Sequence, residues 1–271
     1  MLPNFLIVGA MKAGTTTLRD YLNVVDGVWI YPGELRFFSV DRRYARGLEW
    51  YERHFEAAKG AAVIGEKSPA YAYQPAVPAR IQKHLPDVKL VWIFRDPVAR
   101  AYSHYWHAAT RGKERLSFRS AIEREDERIH RNFLRGYTRR SRYIEQVERY
   151  LQYFAKEQML FLLFEELVKS PTTVMNRLLT FIGSQSTFDP AQLPSASNVT
   201  HAPRSVGVEW LGRTVFGRGD IYRLIRRFNV RPEPGYPKIP RELRDRLQQS
   251  FAIDNARLAD VTGLDLSVWQ R

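Results

Sequence analysis

The sequence predicts an α/β fold in which a mainly parallel sheet is flanked by helices on both faces, in a single domain of residues 1–271. Short apolar runs alternate with segments of helical periodicity, as in sheets whose strands are joined by crossover helices. A hydrophobic content of 44% over 271 residues can supply a full core. The predicted strands are 4–8, 61–65, 89–94 and 159–164, and the predicted helices are 15–22, 75–84, 98–111, 143–155 and 171–182.

The loop between the first strand and the first helix is typical of phosphate binding. In "VGAMKAGTTTLRDYL", Gly9 and Gly14 keep the spacing of the Walker A pattern G-x-x-x-x-G-K-[ST], but Thr15 takes the lysine position and Lys12 lies inside the loop. Backbone N–H groups and the positive end of the next helix can hold an anion here, which makes the predicted fold P-loop-like. The missing magnesium hydroxyl favours a metal-free reaction on a phosphate-bearing donor over ATP hydrolysis. The residues expected to bind phosphate are Lys12, Ala13, Gly14, Thr15, Thr16 and Thr17.

A second polar motif follows the predicted strand 89–94, in "LVWIFRDPVARAYSHYW". Arg95 can bind a phosphate through two N–H groups, and Ser103 on the next helix can add a hydroxyl. Asp96 and Pro97 fit the N-cap and the first position of that helix. Because ligands bind at the carboxyl ends of parallel strands, the loops that follow the predicted strands should converge on one site.

The charge of the chain attracts anions without identifying one. Its formal net charge is +13, and 33 of its 42 basic residues are arginine. Phosphate, sulfate, acidic glycan, nucleic acid and anionic lipid are all compatible with such a field. No specific nucleic-acid partner is predicted from charge alone.

Composition and spacing exclude several kinds of site, and the N-terminal segment indicates a location. The absence of cysteine excludes disulfides, a thiol nucleophile and thiolate metal sites. His104 and His107 have no third ligand at a suitable spacing, so no metal site is predicted. The N-terminal apolar run is too short to span a bilayer and lacks the basic start of a signal peptide, so we expect a cytoplasmic protein.

Together with "GEKSPAY" (65–71), the two phosphate motifs resemble the sulfotransferases that use 3′-phosphoadenosine 5′-phosphosulfate (PAPS). The resemblance runs over 4–183 and is strongest to the branch shared by heparan-sulfate and many bacterial carbohydrate sulfotransferases. In that family a K-x-G-T-[TS] loop, matched by 12–16, binds the 5′-phosphosulfate, and an R-D-P…S element, matched by Arg95 and Ser103, binds the 3′-phosphate. The resemblance implies PAPS as donor, 3′-phosphoadenosine 5′-phosphate (PAP) as product, and no metal.

The resemblance also implies catalytic roles. The loop lysine of the family contacts the oxygen that bridges phosphorus and sulfur, which assigns Lys12 to stabilising the leaving group. The base of the heparan-sulfate branch is a glutamate shortly before two phenylalanines, and "GELRFFSVD" supplies Glu34 there. Lys67 corresponds to a second cation near the donor sulfate or the acceptor, whereas Glu66 is expected to pair locally. Ser39 departs from the aspartate common in that branch, so acceptor contacts should differ.

His84 is a rival base. Cytosolic sulfotransferases of phenols and steroids use a histidine in a K-T-H-L-P stretch, and this chain has "QKHLP". That family places its histidine much farther ahead of the phosphate-binding arginine than the eleven residues between His84 and Arg95. We therefore interpret His84 as the end of a helix, where an imidazole is favourable.

The pattern weakens beyond residue 185. Residues 186–205 are predicted as a long polar loop, within which Arg204 corresponds loosely to a late basic loop of the family that closes over PAPS. Residues 185–235 as a whole are expected to cover the active site. The segment 219–231 has an apolar helical stripe, which we expect to pack on the sheet, although 213–231 could instead contact an anionic membrane or an acidic acceptor. The stripe consists of Ile221, Leu224, Ile225 and Phe228.

The leading hypothesis is a PAPS-dependent sulfotransferase that acts on a hydroxyl or amine of a carbohydrate or glycan-bearing acceptor. The alternatives are a sulfotransferase of a small phenol, alcohol or lipid, a P-loop kinase that depends on magnesium, and a non-catalytic binder of polyanions. Aromatic candidates for an acceptor wall are Phe37, Phe38, Trp50, Tyr51, Tyr71, Tyr73 and Trp106.

Overall fold

The computed structural model describes residues 1–130, 132–192 and 201–270. The chain divides into two compact units, each built from separate segments. The first unit comprises Met1–Arg95, Tyr143–Pro194 and Ile253–Arg271, and the second comprises Asp96–Arg142 and Ser195–Ala252.

The first unit contains a five-stranded sheet in which all neighbouring strands are parallel. The strands are β1 (Phe5–Gly9), β2 (Val28–Ile30), β3 (Val63–Lys67), β4 (Lys89–Phe94) and β5 (Met159–Leu163). Their order is β2-β3-β1-β4-β5. The chain adds strands on one side of β1 and then on the other, so the carboxyl ends of β1 and β4 flank the crevice where such sheets bind ligands. Every residue of β1 and β3 is buried, which requires that both faces of the sheet are covered.

The helices agree with the sequence prediction where apolar periodicity is strong. In chain order they are α1 (Thr15–Leu22), α2 (Asp41–Tyr44), α3 (Gly47–Glu52), α4 (Val77–His84), α5 (Pro97–Ala109), α6 (Phe118–Glu123), α7 (Glu125–Ile129), α8 (Tyr143–Leu151), α9 (Phe164–Lys169), α10 (Pro171–Ile182), α11 (Val206–Phe216), α12 (Asp220–Phe228) and α13 (Arg241–Thr262). The five predicted helices correspond to α1, α4, α5, α8 and α10, and the fold class is confirmed. The predicted helix start at Asp96 is also confirmed, because its side chain accepts a hydrogen bond of 2.9 Å from the backbone N–H of Ala99.

The second unit has its own apolar core and a two-stranded antiparallel sheet. Its strands are β6 (His201–Pro203) and β7 (Val230–Pro234), and α11 and α12 lie between them in the chain. The predicted loop 186–205 is therefore partly wrong, because its end forms β6. Residues 193–200 of that loop lie outside the described residues. The core contains Ala101, Tyr105, Tyr137, Leu243 and Phe251.

The expected packing of the apolar stripe on α12 is wrong. Ile221, Leu224 and Phe228 are 55%, 55% and 71% exposed, respectively. The buried side chain of this helix is instead Tyr222, which the stripe did not include. The helix itself is confirmed, with three of the four stripe residues outward and Ile225 half-buried against Gly212 of α11.

Candidate active site

The predicted phosphate loop connects β1 to α1. The backbone N–H of Ala10 donates to the carbonyl oxygen of Ile93 over 2.8 Å, which ties the loop to β4. Gly14 has φ of +97°, and a Cβ there would lie 2.6 Å from a ring carbon of Phe164, so only glycine fits. No side chain caps α1 at Gly14, and its first turn contains no acidic residue. The N–H groups and the dipole of this helix therefore suit an anion.

Two non-glycine residues in the described parts of the chain have positive φ, and both lie in segments predicted to be functional. Lys12 in the phosphate loop has φ of 71°, and Arg36, two residues after Glu34, has φ of 51°. Such conformations are strained for a residue with a side chain, and they concentrate at functional sites. The phosphate loop and the Glu34 segment therefore both contain a backbone conformation that their residue types disfavour.

Arg95 lies beside the phosphate loop. It follows β4 directly, and one terminal nitrogen donates to the carbonyl oxygen of Lys12 over 3.5 Å. Its guanidinium lies 4.8 Å from the ring centre of Phe164, the same ring that approaches Gly14. Tyr143 fixes the backbone of Arg95 through a hydroxyl hydrogen bond of 2.9 Å to its carbonyl oxygen. The structure thus brings Lys12 and Arg95 together, on an aromatic support that the sequence prediction did not include.

Glu34 and Lys67 form an ion pair at the carboxyl end of β3. Lys67 is the last residue of β3, lies opposite Ile7 of β1 and is only 3% exposed. Its Nζ donates to Oε1 of Glu34 over 2.8 Å. The other carboxylate oxygen of Glu34 accepts from Arg36 over 2.7 Å. Since β3 and β1 are neighbours, this pair and the phosphate loop lie at the same edge of the sheet.

The surroundings of Glu34 keep its carboxylate ionised. Partial burial raises the pKa of Glu34, but the hydrogen bonds and positive charges of Lys67 and Arg36 lower it more. The net pKa of Glu34 lies below its ordinary value of 4.5. At neutral pH the side chain is therefore a proton acceptor.

Glu66 is the buried anchor of this region. It is fully buried, and its carboxylate accepts hydrogen bonds from Tyr51 over 2.6 Å, from Tyr71 over 2.9 Å and from Ser68. Burial raises the pKa of Glu66, although these hydroxyls oppose the shift. The backbone N–H of Arg36 donates to the Ser68 hydroxyl over 3.0 Å. Glu66 therefore fixes the segment that carries Glu34, a wider role than the local pairing expected from sequence.

A cavity of about 480 Å³ opens beside Glu34. Three arginines and three aromatic or imidazole rings contribute to its lining. The lining residues are Tyr31, Glu34, Leu35, Arg42, Arg43, Arg46, Trp50 and His54. Of the aromatic wall candidates, Trp50 lines this cavity, whereas Phe37, Phe38, Tyr51 and Tyr71 are fully buried core residues.

Comparison with known proteins identifies the family. Residues 2–203 match the sulfotransferase domain family. The chain belongs to the sulfotransferase family. The predicted resemblance is thereby confirmed.

Two curated relatives and one solved structure show how far the similarity of this sulfotransferase extends. It is 27% identical to a bifunctional heparan sulfate N-deacetylase/N-sulfotransferase 1 of Caenorhabditis elegans over 95% of the chain and 29% of the relative. It is 33% identical to heparan sulfate glucosamine 3-O-sulfotransferase 5 of Mus musculus over 67% of the chain and 53% of the relative. The crystal structure of a sulfotransferase from Alicyclobacillus acidocaldarius matches with a TM-score of 0.77 and 28% identity, and each chain is covered in full. The sulfotransferase thus spans about half or less of the length of these two curated relatives.

The remaining predicted site residues of the sulfotransferase are His84 in the first unit and Ser103 and Arg204 in the second. His84 ends α4, as predicted, and its Nε2 lies 3.0 Å from the Tyr44 hydroxyl. Partial burial, with a contribution from Lys83, lowers the pKa of His84. Ser103 is a buried residue of α5 in the second unit. Arg204 is an exposed residue of the same unit, and its side chain donates to the carbonyl oxygen of Val230 over 3.0 Å.

No group of three or more histidine or acidic side chains in 1–130, 132–192 and 201–270 is arranged to hold a metal ion. Across the same residues, no helix combines the length and the apolar character needed to cross a bilayer.

Replacing Glu66 should destabilise the sulfotransferase. Glu66→Ala leaves the hydroxyls of Tyr51, Ser68 and Tyr71 without their buried acceptor, so we expect a loss of about 3 kcal/mol in the free energy of unfolding. Urea denaturation followed by circular dichroism measures this loss. Glu56→Ala, at an exposed glutamate of the same unit, is the matched control and should change the free energy by less than about 0.5 kcal/mol. Equal effects of the two substitutions would contradict the role assigned to Glu66.

Proposed function

We propose that the protein transfers the sulfuryl group of PAPS to a hydroxyl or amine of a carbohydrate acceptor. The observation that carries this proposal is the ion pair that holds the Glu34 carboxylate on Lys67, at the end of the strand next to the phosphate loop. A base and an anion-binding loop on neighbouring strand ends can serve one acceptor and one phosphate-bearing donor. Membership of the sulfotransferase family supports sulfur rather than phosphorus as the transferred centre.

The transfer uses residues of the first unit in three roles. Glu34 accepts the proton of the acceptor hydroxyl or amine as the oxygen or nitrogen forms its bond to sulfur. The bond between sulfur and the bridging oxygen breaks, and its electron pair stays on the phosphate of PAP. Lys12 stabilises the charge that grows on this oxygen. Lys67 orients Glu34 and adds a positive charge near the transferred group.

We assign separate protein groups to the 5′ end and to the 3′ end of the nucleotide donor. The phosphate loop holds the 5′-phosphosulfate through its N–H groups and hydroxyls, and Arg95 holds the 3′-phosphate. The stacking of Arg95 on Phe164 leaves its N–H groups in a fixed plane, which suits bidentate binding. A donor-binding role for Ser103 and for Arg204 stays a prediction of the family resemblance.

The cavity beside Glu34 favours an acidic sugar as acceptor. Arg43 donates to the carbonyl oxygen of Leu35 and so has a structural role. Arg42 and Arg46 are exposed, and the guanidinium of Arg46 lies 4.6 Å from the ring centre of Trp50. An aromatic face combined with guanidinium groups fits a sugar that carries carboxylate or sulfate. The curated relatives, named for heparan sulfate, support the same acceptor class.

Comparison of an acidic oligosaccharide with its neutral counterpart tests whether the acceptor is an acidic sugar. Arg46→Ala should raise KM at least tenfold for an acidic oligosaccharide, and about twofold or less for its neutral counterpart, because one charge-assisted contact is worth about 1.5 kcal/mol or more. The measurement is PAPS-dependent transfer detected by mass spectrometry at saturating donor. Arg53→Ala, at an exposed arginine outside the cavity, is the matched control. Equal loss for both acceptors would argue against recognition of acceptor charge.

The alternative enzyme activities have no comparable support from the contacts of the described residues. A phenol sulfotransferase with a histidine base would use His84, whose Nε2 is already paired with Tyr44. A cytoplasmic location stays a prediction of the sequence.

A further inference from the structure

The helices α11 and α12 have an unusual distribution of polar and apolar side chains. Of the fourteen large apolar side chains that are exposed in the described residues, eight lie between 206 and 230. They are Val208, Leu211, Val215, Phe216, Ile221, Leu224, Phe228 and Val230. Isolated exposed apolar residues are ordinary, but a concentration of this kind marks an interaction surface.

Four of the six charged side chains of these two helices line a cavity within the same unit. This cavity of about 670 Å³ is lined by Glu209 and Arg213 from α11 and by Tyr222, Arg223 and Arg226 from α12. At about 100° per residue, Tyr222 and Arg226 lie on the side of α12 opposite to Leu224 and Phe228. A surface helix normally turns its apolar face inward. Here the arrangement is reversed.

The reversed arrangement is held by specific contacts. Glu209 is 1% exposed and accepts from the Tyr222 hydroxyl over 2.7 Å and from Nδ2 of Asn229 over 3.1 Å. A Cβ at Gly212 would lie 3.3 Å from side-chain carbons of Ile225, so the two helices pack closely at that glycine. Buried polar groups that are fully paired specify one orientation of the helices around them. The contacts between α11 and α12 therefore hold the apolar side chains outward.

The positive charge around α11 and α12 indicates which partner covers their exposed apolar side. Seven arginines and two acidic residues lie between 204 and 231, a net charge of +5, on a chain whose total is +13. A second copy would bring the same positive charge against the surface, whereas an anionic lipid surface would neutralise it. Arg227 is exposed and lies one turn from Leu224 on α12, where lipid phosphates would lie. Helices of eleven and nine residues are too short to span a bilayer but suit its interface.

We propose that residues 206–230, here called the interfacial hairpin, dock the protein on an anionic membrane surface. The apolar side chains enter the boundary between headgroups and acyl chains, and the arginines contact lipid phosphates. This binding is separate from sulfuryl transfer and does not depend on the proposed acceptor.

Vesicle binding of the full chain tests the proposal. In flotation assays we expect binding to phosphatidylcholine vesicles that contain phosphatidylserine, and at least tenfold weaker binding to phosphatidylcholine alone. Ile221→Ser/Phe228→Ser should weaken binding at least tenfold while thermal unfolding and PAP binding stay unchanged, because both side chains are already exposed. Val168→Ser/Ile253→Ser removes two equally exposed apolar side chains elsewhere and should bind like the parent chain.

Three results would overturn the proposal. The first is no difference between anionic and neutral vesicles, and the second is an equal loss of binding in both double variants. The third is a concentration-dependent dimer, seen by analytical ultracentrifugation, that Ile221→Ser/Phe228→Ser abolishes, since a second copy would then be the occupant.

Discussion

Glu34→Gln is expected to lower kcat by about 10²-fold or more while the affinity for PAP changes little. The amide keeps the shape of the side chain and can still accept from Lys67, but it cannot take the acceptor proton. Initial rates at saturating PAPS and acceptor measure kcat, and calorimetric titration measures PAP binding. The melting temperature shows whether the loss of the ion pair with Lys67 affects the fold.

The pH profile gives an independent check on Glu34. Because the pKa of Glu34 is lowered, kcat/KM should fall with decreasing pH only below the ordinary value of 4.5. This limb should be absent from Glu34→Gln. His84→Asn is the control and should stay within a few-fold of the parent. Activity retained in Glu34→Gln but lost in His84→Asn would assign the base to His84 and shift the expected acceptor to a phenol or alcohol.

Lys12→Ala is expected to reduce turnover by roughly 10²-fold or more, because it removes a positive charge from the oxygen at which negative charge develops. The ground-state affinity for PAPS should fall far less. Arg95→Ala is the informative comparison, since its charge is assigned to the 3′-phosphate, remote from the breaking bond. It should weaken PAP binding by about tenfold or more and leave kcat at saturating donor within a few-fold.

Single-turnover rates and PAP titrations of both variants separate the two roles. Arg53→Ala, an exposed arginine paired with Glu49, should resemble the parent in both measurements. If Lys12→Ala and Arg95→Ala weaken donor binding equally and leave turnover intact, Lys12 has no part in the chemistry.

The sequence predicts a secondary-structure element best where a single physical requirement determines its residues. Strand 89–94 was predicted with the bounds that β4 has, because a strand buried on both faces must be continuously apolar. The helix 15–22, predicted from its hydroxyl start and apolar spacing, coincides with α1, although its N-cap is Gly14 and no side chain caps it. The three-residue β2 is too short to show alternation and was missed. The helix α13 was also missed, although Leu243, Leu247, Phe251 and Leu258 have the spacing of one buried helical face.

The candidate site was predicted in part for the same reason. Lys12, Arg95, Glu34 and Lys67 lie in segments whose pattern is recognisable, and the structure forms two pairs from them. One contact that organises these pairs is local, since Arg36 binds the Glu34 carboxylate from two residues away, at a backbone position with positive φ. The other is long-range, since Phe164 reaches Gly14 from the end of β5. Neither a positive φ at an arginine nor a contact across 150 residues can be predicted from local spacing.

The outward apolar side of α12 shows the limit of periodicity. The stripe correctly predicted a helix, but periodicity cannot say which side faces the protein. The buried Glu209 decides this orientation through Tyr222 and Asn229, two contacts that depend on how α11 and α12 pack.

The most direct test of the central claim is transfer of a labelled sulfuryl group. The protein is incubated with PAPS labelled at sulfur and an acidic oligosaccharide, and the products are analysed by mass spectrometry. We predict that the oligosaccharide gains one labelled sulfuryl group for each PAP released, that Glu34→Gln forms this product about 10²-fold more slowly, and that both proteins bind PAP. Absence of PAP binding together with absence of label on the oligosaccharide and on phenol or alcohol acceptors would contradict the assignment of this site to sulfuryl transfer from PAPS.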